Sequence, residues 1–222
     1  MYNSFIFDLD GTLLNTIDDL ANAANWVCEQ NGWPTHPLDR YCYFVGNGIP
    51  KLVERFSPET QRTPARLAET LAQFSARYAA HKADCTAPYP GICQALEALK
   101  ASGAALGVLS NKEDSLARAV VEQYFGRGLF DLVRGACPEV PVKPDPTAVH
   151  EMLAQPAFAG RHTLFVGDSD VDILTARAAG MDSCGVLWGF RTRSELEQAG
   201  ACYLAAKPGD LVELARCAEA SL

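Results

Sequence analysis

Short apolar runs recur along the chain after residue 85, and most are followed by stretches with apolar residues at three- and four-residue spacing. Apolar runs of this length are typical of buried strands, whereas the second spacing is typical of amphipathic helices. With one more run near the start, the pattern predicts strands at 4–8, 104–110, 131–134, 163–167, 184–187 and 202–204. Strands that alternate with helices predict an α/β fold, with a parallel sheet flanked by helices.

Four segments between these strands carry the helical pattern and predict crossover helices: GICQALEALKASG, EDSLARAVVEQYFG, DPTAVHEMLAQ and DILTARAAG. Residues 16–83 differ, because helical stretches at 17–31, 50–56 and 64–82 follow one another with no convincing strand between them. Proline and glycine clusters break this region into pieces and end it near residue 88. We therefore expect a core of residues 1–15 and 84–222, with an all-helical domain of residues 16–83 inserted after the first strand.

Composition narrows the classes of function. The 222 residues are 48% hydrophobic, which is enough for one sizeable domain and a smaller insertion. The net charge is 19 − 27 = −8, which argues against nucleic-acid or anionic-membrane partners because both need basic patches. No apolar run approaches the roughly 18 residues of a membrane span, so we expect a soluble protein without membrane contacts.

The chain has eight cysteines with no CxxC pair, no regular spacing and no preceding signal peptide. We expect reduced thiols in a cytoplasmic protein. The cysteines are Cys28, Cys42, Cys85, Cys93, Cys137, Cys184, Cys202 and Cys217.

Polar residues stand where the predicted strands end or in the loops that follow them. Ligands of open parallel sheets gather beyond the carboxyl ends of the strands, so these positions are the first to inspect. They are Asp8 and Asp10 after the first strand, Ser110 and Asn111 after ALGVLS, Lys143 in PVKPDP, and Asp168 and Asp172 in FVGDSDVD.

This set suits phosphoryl transfer. A carboxylate that attacks a phosphate monoester meets a dianion, so the reaction needs cations that neutralise the developing charge. Asp8 and Asp168 offer the oxygen ligands that Mg²⁺ prefers, with a backbone carbonyl as a third protein ligand. Lys143 supplies a fixed positive charge, and Ser110 and Asn111 can donate hydrogen bonds to phosphate oxygens.

Asp8 and Asp10 would divide the chemistry between them. A metal-bound Asp8 stays ionised and can act as nucleophile, whereas Asp10 can protonate the leaving alkoxide and later activate water. Gly11 allows a sharp turn beside them. Asp172 would share a helix face with Asp168 if a helix starts there, and we expect it to support the metal ligands or to bind metal occasionally.

Each motif alone has a purely structural alternative. Asp-x-Asp-Gly is commonly a turn, Ser110-Asn111 can cap a helix, Lys143 can be a solvated loop lysine, and Gly167-Asp168-Ser169 can be a cap and turn. Only the ordered set, each member after its own strand, favours the functional interpretation.

The sequences FDLDGTLLNT, LSNK, VKPDP and GDSDVD resemble, in that order, the four motifs of the haloacid dehalogenase-like hydrolase superfamily. FVGNGIPKLVERF, YPGICQALEALKASG and TARAAGMDSCGVLWGF further resemble segments of phosphoglycolate phosphatases. The resemblance implies a Rossmann-like core with a mobile helical cap. It also implies a nucleophile at Asp8, a general acid/base at Asp10, Mg²⁺ on Asp8, the Asp10 carbonyl and Asp168, and phosphate contacts from Gly11, Thr12, Ser110, Asn111 and Lys143. Ser110 stands where relatives often have threonine.

The predicted function is Mg²⁺-dependent hydrolysis of a phosphate monoester, 2-phosphoglycolate or a similar small phosphorylated metabolite, by a monomer or homodimer. A β-phosphoglucomutase-like mutase and a pyrophosphatase of the same superfamily remain alternatives. From another class, a non-catalytic module that binds phosphorylated metabolites remains open. A dehalogenase is disfavoured, because that chemistry uses no Mg²⁺ and needs no acid at Asp10.

The helical domain is expected to choose the substrate. Amides of Gly46, Asn47 and Gly48 precede a predicted helix and could meet an anionic group, with Lys51 nearby; the alternative is a glycine-rich turn with a solvated lysine. Further residues of this domain that could face the site are Arg40, Arg55 and Arg77. The histidines at 36, 81, 150 and 162 fall outside the motifs, and we expect them to be surface or hydrogen-bonded residues rather than ligands.

Overall fold

The computed structural model describes residues 2–216. The chain divides into two compact units: a core unit, Met1–Leu14 with Pro88–Leu222, and a helical unit, Asn15–Ala87. Two short strands, β2 (Leu14–Asn15) and β3 (Ala87–Pro88), pair with each other where the chain passes between the units.

A six-stranded sheet forms the centre of the core unit, with the order β5-β4-β1-β6-β7-β8 and parallel pairing between neighbours. Its members are β1 (Ser4–Phe7), β4 (Ala105–Glu113), β5 (Leu132–Ala136), β6 (Thr163–Gly167), β7 (Asp182–Val186) and β8 (Tyr203–Ala205). This confirms the predicted α/β class. Because β1 lies between β4 and β6, the residues that follow all three strands share one edge of the sheet.

Helices cover both faces of this sheet. They are α5 (Ile92–Ala101), α6 (Asp114–Phe125), α7 (Thr147–Leu153), α8 (Asp170–Ala178), α9 (Arg193–Ala199) and α10 (Gly209–Arg216). Strand side chains alternate between the faces. Phe5 and Phe7 pack with Leu96 of α5 and Val120 of α6, whereas Ile6 packs on the other face with residues of α7 and α8.

The predicted strands match the observed ones within a few residues, except at β4. That strand continues to Glu113 instead of ending at residue 110, and its register with β5 shifts between Leu109 and Glu113. The irregularity lies within the predicted phosphate-binding motif. The strands β2 and β3 were not predicted, because two-residue strands carry no periodic signal.

The helical unit contains α1 (Ile17–Gln30), α2 (Leu38–Phe44), α3 (Ile49–Phe56), a 3₁₀ turn at Glu59–Gln61 and α4 (Pro64–His81). Its centre is largely aromatic, with Phe74 packed between Phe56 and Tyr78 at ring separations of 6.0 and 5.7 Å. Helix α2 was not predicted, because seven residues between proline and glycine breakers are too few for a clear helical period.

Within residues 2–216, no helix combines the length and apolar character needed to cross a membrane. Cys28 and Cys184 are free thiols in buried positions. Burial raises the pKa of Cys28 to about 11 and that of Cys184 to about 12, so both stay protonated and inert. Cys217 lies outside the described residues.

Candidate active site

Lys143 lies at the centre of a buried cluster beyond the carboxyl ends of the strands. Its Nζ is 2.8 Å from Asp8 Oδ1 and 2.7 Å from Asp172 Oδ1, and its side chain is only 2% exposed. A buried ammonium between two carboxylates is held far more rigidly than a surface lysine. The structure therefore brings together the first, third and fourth motifs.

Asn111 fixes the loop that carries Lys143. The Asn111 Nδ2 amide donates to the Lys143 carbonyl at 3.0 Å, and the Lys143 amide donates to Asn111 Oδ1 at 2.9 Å. Ser110 is also buried, and its Oγ accepts a hydrogen bond from the Lys112 amide at 3.1 Å. These side chains thus organise the loop in addition to any contact with phosphate.

Asp172 is held by the start of α8. The helix begins at Asp170, with Ser169 as its N-cap, and Asp172 Oδ2 accepts hydrogen bonds from the Ser169 amide at 3.1 Å and hydroxyl at 2.7 Å. This capping box fixes the carboxylate that meets Lys143. Asp168 precedes α8, so the two aspartates do not share a helix face. The turn at the N-cap, Ser169, brings Asp168 close to Asp172 instead.

The Asp168 side chain is closely surrounded by two segments of the chain, residues 11–12 and 189–190. Its oxygens accept hydrogen bonds from Thr12 Oγ1 at 3.2 Å and from the Phe190 amide at 2.8 Å. A Cβ added at Gly11, where φ is 90°, or at Gly189 would overlap the Asp168 side chain. Both positions therefore need glycine, Gly11 for its conformation as well as for space.

Electrostatics in the cluster oppose full ionisation of the aspartates. Burial, and secondly the charge of Asp172, raises the pKa of Asp8 well above its usual range, although Lys143 acts in the opposite direction. The same two causes raise the pKa of Asp168 to about 7. Burial alone would lower the pKa of Lys143, but the carboxylates of Asp172 and Asp8 outweigh it and raise that pKa.

The donor set fits a hard divalent cation. Asp8, Asp168 and Asp172 are buried and each offers one carboxylate oxygen, all within 4.8 Å of one another. Lys143 pairs with Asp8 and Asp172 but not with Asp168, so the three carboxylates, when ionised, carry more negative charge than Lys143 balances, and a cation would neutralise the excess. All-oxygen donors match Mg²⁺ better than softer metals.

Asp10 presents an unsatisfied oxygen at the same edge. Lys112 Nζ is 3.1 Å from Asp10 Oδ1, with both side chains largely buried. The pair is an ion pair by distance, but its geometry falls short of a hydrogen bond, and Asp10 Oδ1 has no hydrogen-bond partner among residues 2–216. A buried carboxylate oxygen without a partner is costly unless a ligand completes it.

Two features of this site were missed by the sequence interpretation. Lys112 was quoted in LSNK without a role, although it directly follows the predicted phosphate contacts. The segment 188–190 was quoted only as part of a resemblance, yet Trp188 Nε1 donates to the Thr12 carbonyl at 3.0 Å and Phe190 binds Asp168. The segment follows β7, so inspecting the end of that strand would have found it.

The remaining predicted site residues belong to the helical unit. Gly46 and Gly48 have φ values of 118° and 84°, and Gly48 caps α3. Asn47 Oδ1 accepts a hydrogen bond from Arg55 Nη2 at 2.8 Å, and Lys51 Nζ pairs with Glu54 Oε2 at 2.7 Å.

The arginines of the helical unit have separate surroundings. The Arg55 guanidinium holds the end of α2, the Arg77 guanidinium lies 5.2 Å from the centre of the Trp26 ring, and Arg40 is exposed. Of the four histidines, His36 and His81 are hydrogen-bonded within this unit, whereas His150 and His162 are exposed in the core unit.

Comparison with known proteins identifies the family. The family described as haloacid dehalogenase-like hydrolase matches residues 5–186. A phosphoglycolate phosphatase of Aquifex aeolicus is 31% identical over 210 residues, covering 94% of each chain. One from Caulobacter vibrioides is 36% identical over 197 residues, covering 88% of this chain and 83% of the relative.

A solved structure of a predicted phosphoglycolate phosphatase from Haemophilus somnus 129Pt superimposes with a TM-score of 0.88 at 26% identity. The alignment covers 96% of this chain and 98% of that chain. The match to the family spans β1 to β7 and so includes every core motif described above. The chain belongs to the haloacid dehalogenase-like hydrolase family, as a phosphatase similar to the phosphoglycolate phosphatases.

Proposed function

We propose that this phosphatase hydrolyses 2-phosphoglycolate, or a similar small phosphorylated metabolite, with Mg²⁺ bound and through an aspartyl-phosphate on Asp8. The buried cluster of Asp8, Lys143, Asp168 and Asp172 carries the proposal. Catalytic groups with strongly shifted pKa values cluster at functional sites, and here the shifts follow from burial and from neighbouring charges.

Asp8 is the proposed nucleophile. One of its carboxylate oxygens attacks phosphorus, the bond to the ester oxygen breaks, and the alkoxide leaves with the electron pair of that bond. Lys143 Nζ, 2.8 Å from Asp8 Oδ1, keeps Asp8 oriented and places a fixed positive charge beside the phosphoryl oxygens. Asn111 holds the Lys143 backbone in place for this task.

Asp10 is the proposed acid and base. It gives a proton to the leaving alkoxide in the first step, and in the second it takes a proton from the water that attacks the aspartyl-phosphate. The second step releases inorganic phosphate and regenerates both carboxyl groups. The buried Asp10 Oδ1 supports this role, because no hydrogen bond from the described residues uses its acceptor capacity.

Mg²⁺ is the proposed metal, held by Asp8, Asp168 and the backbone carbonyl of Asp10. Bound there, it would supply positive charge that screens the phosphate dianion from the carboxylates. Asp172 already pairs with the ammonium group of Lys143, whereas the hydrogen bonds that Asp168 accepts from Thr12 and Phe190 come from neutral groups, so we assign Asp172 to support of the cluster and Asp168 to the metal. Thr12 supports Asp168 in the same way.

The helical domain, residues 16–83, is proposed as a cap that selects the substrate. A small phosphorylated acid carries a second negative charge, which needs amide or cationic contacts. The turn Gly46-Asn47-Gly48 and Lys51 are the proposed contacts. The named activity of the relatives supports 2-phosphoglycolate. The free buried thiols support action in a reducing compartment, the cytoplasm.

A screen of phosphorylated metabolites tests the proposal. Phosphate release is measured with Mg²⁺ for 2-phosphoglycolate, hexose phosphates and pyrophosphate, with and without a chelator. We expect the highest kcat/KM for 2-phosphoglycolate and no turnover in excess chelator. Activity that survives chelation would contradict the metal assignment, and isomer formation without phosphate release would indicate a mutase.

A further inference from the structure

The helical unit contains a second concave site that the proposed function does not use. A cavity of about 570 Å³ lies among residues of α2, α3 and the loops before and after them. Two aromatic rings with accessible surface, Tyr43 and Phe44, contribute to its lining together with three arginines, Arg40, Arg55 and Arg62, whereas the Phe56 ring beside it is 1% exposed. Its volume falls within the range of small-molecule sites, about 300–1,000 Å³.

The aromatic part of the cavity is rigid. The ring of His36, which also lines it, stands edge-on to the Phe44 ring at 5.2 Å and is fixed by a 2.9 Å hydrogen bond between Nε2 and the Phe56 carbonyl. The Tyr41 ring also packs edge-on against the Phe44 ring, with the ring centres 5.4 Å apart. Rings that are already fixed can stack against a flat ligand at little cost in conformational entropy.

The positive charge of the cavity is not cancelled by close ion pairs of Arg40 and Arg62. Arg62 donates to the backbone carbonyls of Ser57 and Arg55 at 3.0 and 3.4 Å, and among residues 2–216 neither Arg62 nor Arg40 forms an ion pair with a carboxylate. The nearby Glu54 carboxylate is bonded to Lys51. Glu59 is the acidic residue among those that line the cavity.

The Arg55 guanidinium also forms hydrogen bonds with neutral groups. Its guanidinium donates to the Phe44 carbonyl at 2.9 Å and to Asn47 Oδ1 at 2.8 Å. Among the residues that line the cavity, arginines outnumber the single glutamate three to one, in a chain whose net charge is −8. A planar guanidinium suits a carboxylate or phosphate, and it also stacks on aromatic rings.

We propose that this cavity binds a small ligand in which a carboxylate or phosphate group is attached to a flat aromatic ring. The fixed rings would receive the flat part of the ligand, and Arg40 and Arg62 would bind its anionic group. All residues that line the cavity belong to the helical unit, and the inference does not depend on the proposed phosphatase mechanism, so either can fail while the other stands.

Calorimetric titration of the full chain with 2-naphthoate tests the inference. This probe has a flat ring and a carboxylate but no phosphoryl group to transfer, and an added chelator keeps the core cluster free of divalent metal. We expect saturable binding with a Kd below about 1 mM, and at least about tenfold weaker binding of the neutral analogue 2-naphthalenemethanol. Absence of saturable binding, or equal binding of the two probes, would overturn the proposal.

Arginine variants locate the site. Arg40→Gln should raise the Kd of 2-naphthoate about tenfold, because a charge-assisted contact is lost, and its exposed side chain makes no hydrogen bond with the described residues that folding could need. Arg62→Gln should act in the same direction. Arg66→Gln is the matched control, since Arg66 pairs with Glu69 and does not line the cavity. Equal weakening by the control would place the probe elsewhere and overturn the assignment.

Discussion

Both units bury aspartate side chains, but their hydrogen-bond environments are opposite. In the helical unit, Asp19 accepts hydrogen bonds from the Cys85 and Thr86 amides and from the Thr86 hydroxyl, at 2.7–3.1 Å. In the core unit, Asp10 Oδ1 has no hydrogen-bond partner among the described residues. Burial raises the pKa values of Asp8 and Asp168.

The difference separates a structural carboxylate from a reactive one. A buried carboxylate whose lone pairs are all used joins distant parts of the chain and stabilises them, as Asp19 joins α1 to residues 85 and 86. Carboxylates that are crowded together and incompletely paired lower stability, and folds retain such groups mainly where a ligand completes them. Asp19 and the core aspartates should therefore respond to substitution in opposite ways.

Asp8→Asn should produce the largest effect on activity. It removes the proposed nucleophile, so turnover should fall by at least about 10⁴-fold. It also removes one charge from a crowded cluster, so the melting temperature of the metal-free protein should stay the same or rise. Steady-state kinetics and thermal unfolding check both results. Asp170→Asn, at an exposed aspartate nearby, is the control. Near-normal turnover in Asp8→Asn would exclude the proposed mechanism.

Asp19→Ala should lower the stability of the protein, in contrast to Asp8→Asn. The substitution leaves the Thr86 amide and hydroxyl without their buried acceptor, which should cost roughly 2 kcal/mol in the free energy of unfolding. The measurement is urea denaturation, with Asp18→Ala as a control at a neighbouring acid of the same helix turn. An unchanged stability would mean that the Asp19 contacts are not the structural link described above.

The two units also differ in how much of their structure and of the candidate site could be predicted from the sequence. The core motifs follow strands whose apolar runs are unambiguous, so β1 and β6 could be located and the residues after them inspected together. The contacts that complete the site could not be found in this way. Asn111 and Lys143, which are hydrogen-bonded to each other, are 32 positions apart in the sequence, and Phe190 and Asp168 are 22 positions apart. Loop geometry rather than periodicity decides both contacts.

The helical unit was less predictable for a physical reason. Its long helices α1 and α4 could be located from their periodicity, but α2 spans only Leu38–Phe44 between proline and glycine breakers and gave no clear helical period. Its charged side chains also pair with each other, as Lys51 does with Glu54, and sequence alone does not show which charges are already paired. The cavity beside Arg40 and Arg62 forms where α2, α3 and the loops beside them come together, and no periodic signal in the sequence marks such a place.

Lys112→Met should reveal whether the Asp10 carboxylate needs a fixed orientation. Lys112 Nζ is 3.1 Å from Asp10 Oδ1, so removing it should lower kcat about 100-fold, the low end of the range of general acid–base contributions, with a smaller change in KM. Lys112→Arg should recover part of the loss, because it keeps a positive charge near Asp10. Equal effects of Met and Arg would indicate a packing role for Lys112 instead.

Metal binding should depend on pH through Asp168. Its pKa is raised to about 7, so below that pH a proton must leave before a cation can bind, and apparent Mg²⁺ affinity should fall about tenfold per pH unit for each proton displaced. In the metal-free protein this group favours folding at low pH, and that contribution is lost as pH rises from about 4 to about 7. Thermal shifts with and without Mg²⁺ between about pH 4 and pH 8 measure both effects, with Asp168→Asn as reference. Mg²⁺ affinity that does not change with pH would contradict the assignment.

Lys51→Ala should give the smallest effect and bears on substrate choice. The Lys51 side chain is 45% exposed and paired with Glu54, so its share in recognising a second anionic group is screened by solvent and by its partner. We expect the preference in kcat/KM for 2-phosphoglycolate over glucose 6-phosphate to narrow about two- to fivefold. Glu54→Gln should widen the same preference, because it releases Lys51 from its partner. If Lys51→Ala lowers kcat/KM equally for both substrates, Lys51 does not recognise the carboxylate of 2-phosphoglycolate. If the wild type prefers the hexose phosphate, the proposed substrate is wrong, while the mechanism proposed for Asp8 and Asp10 is untouched.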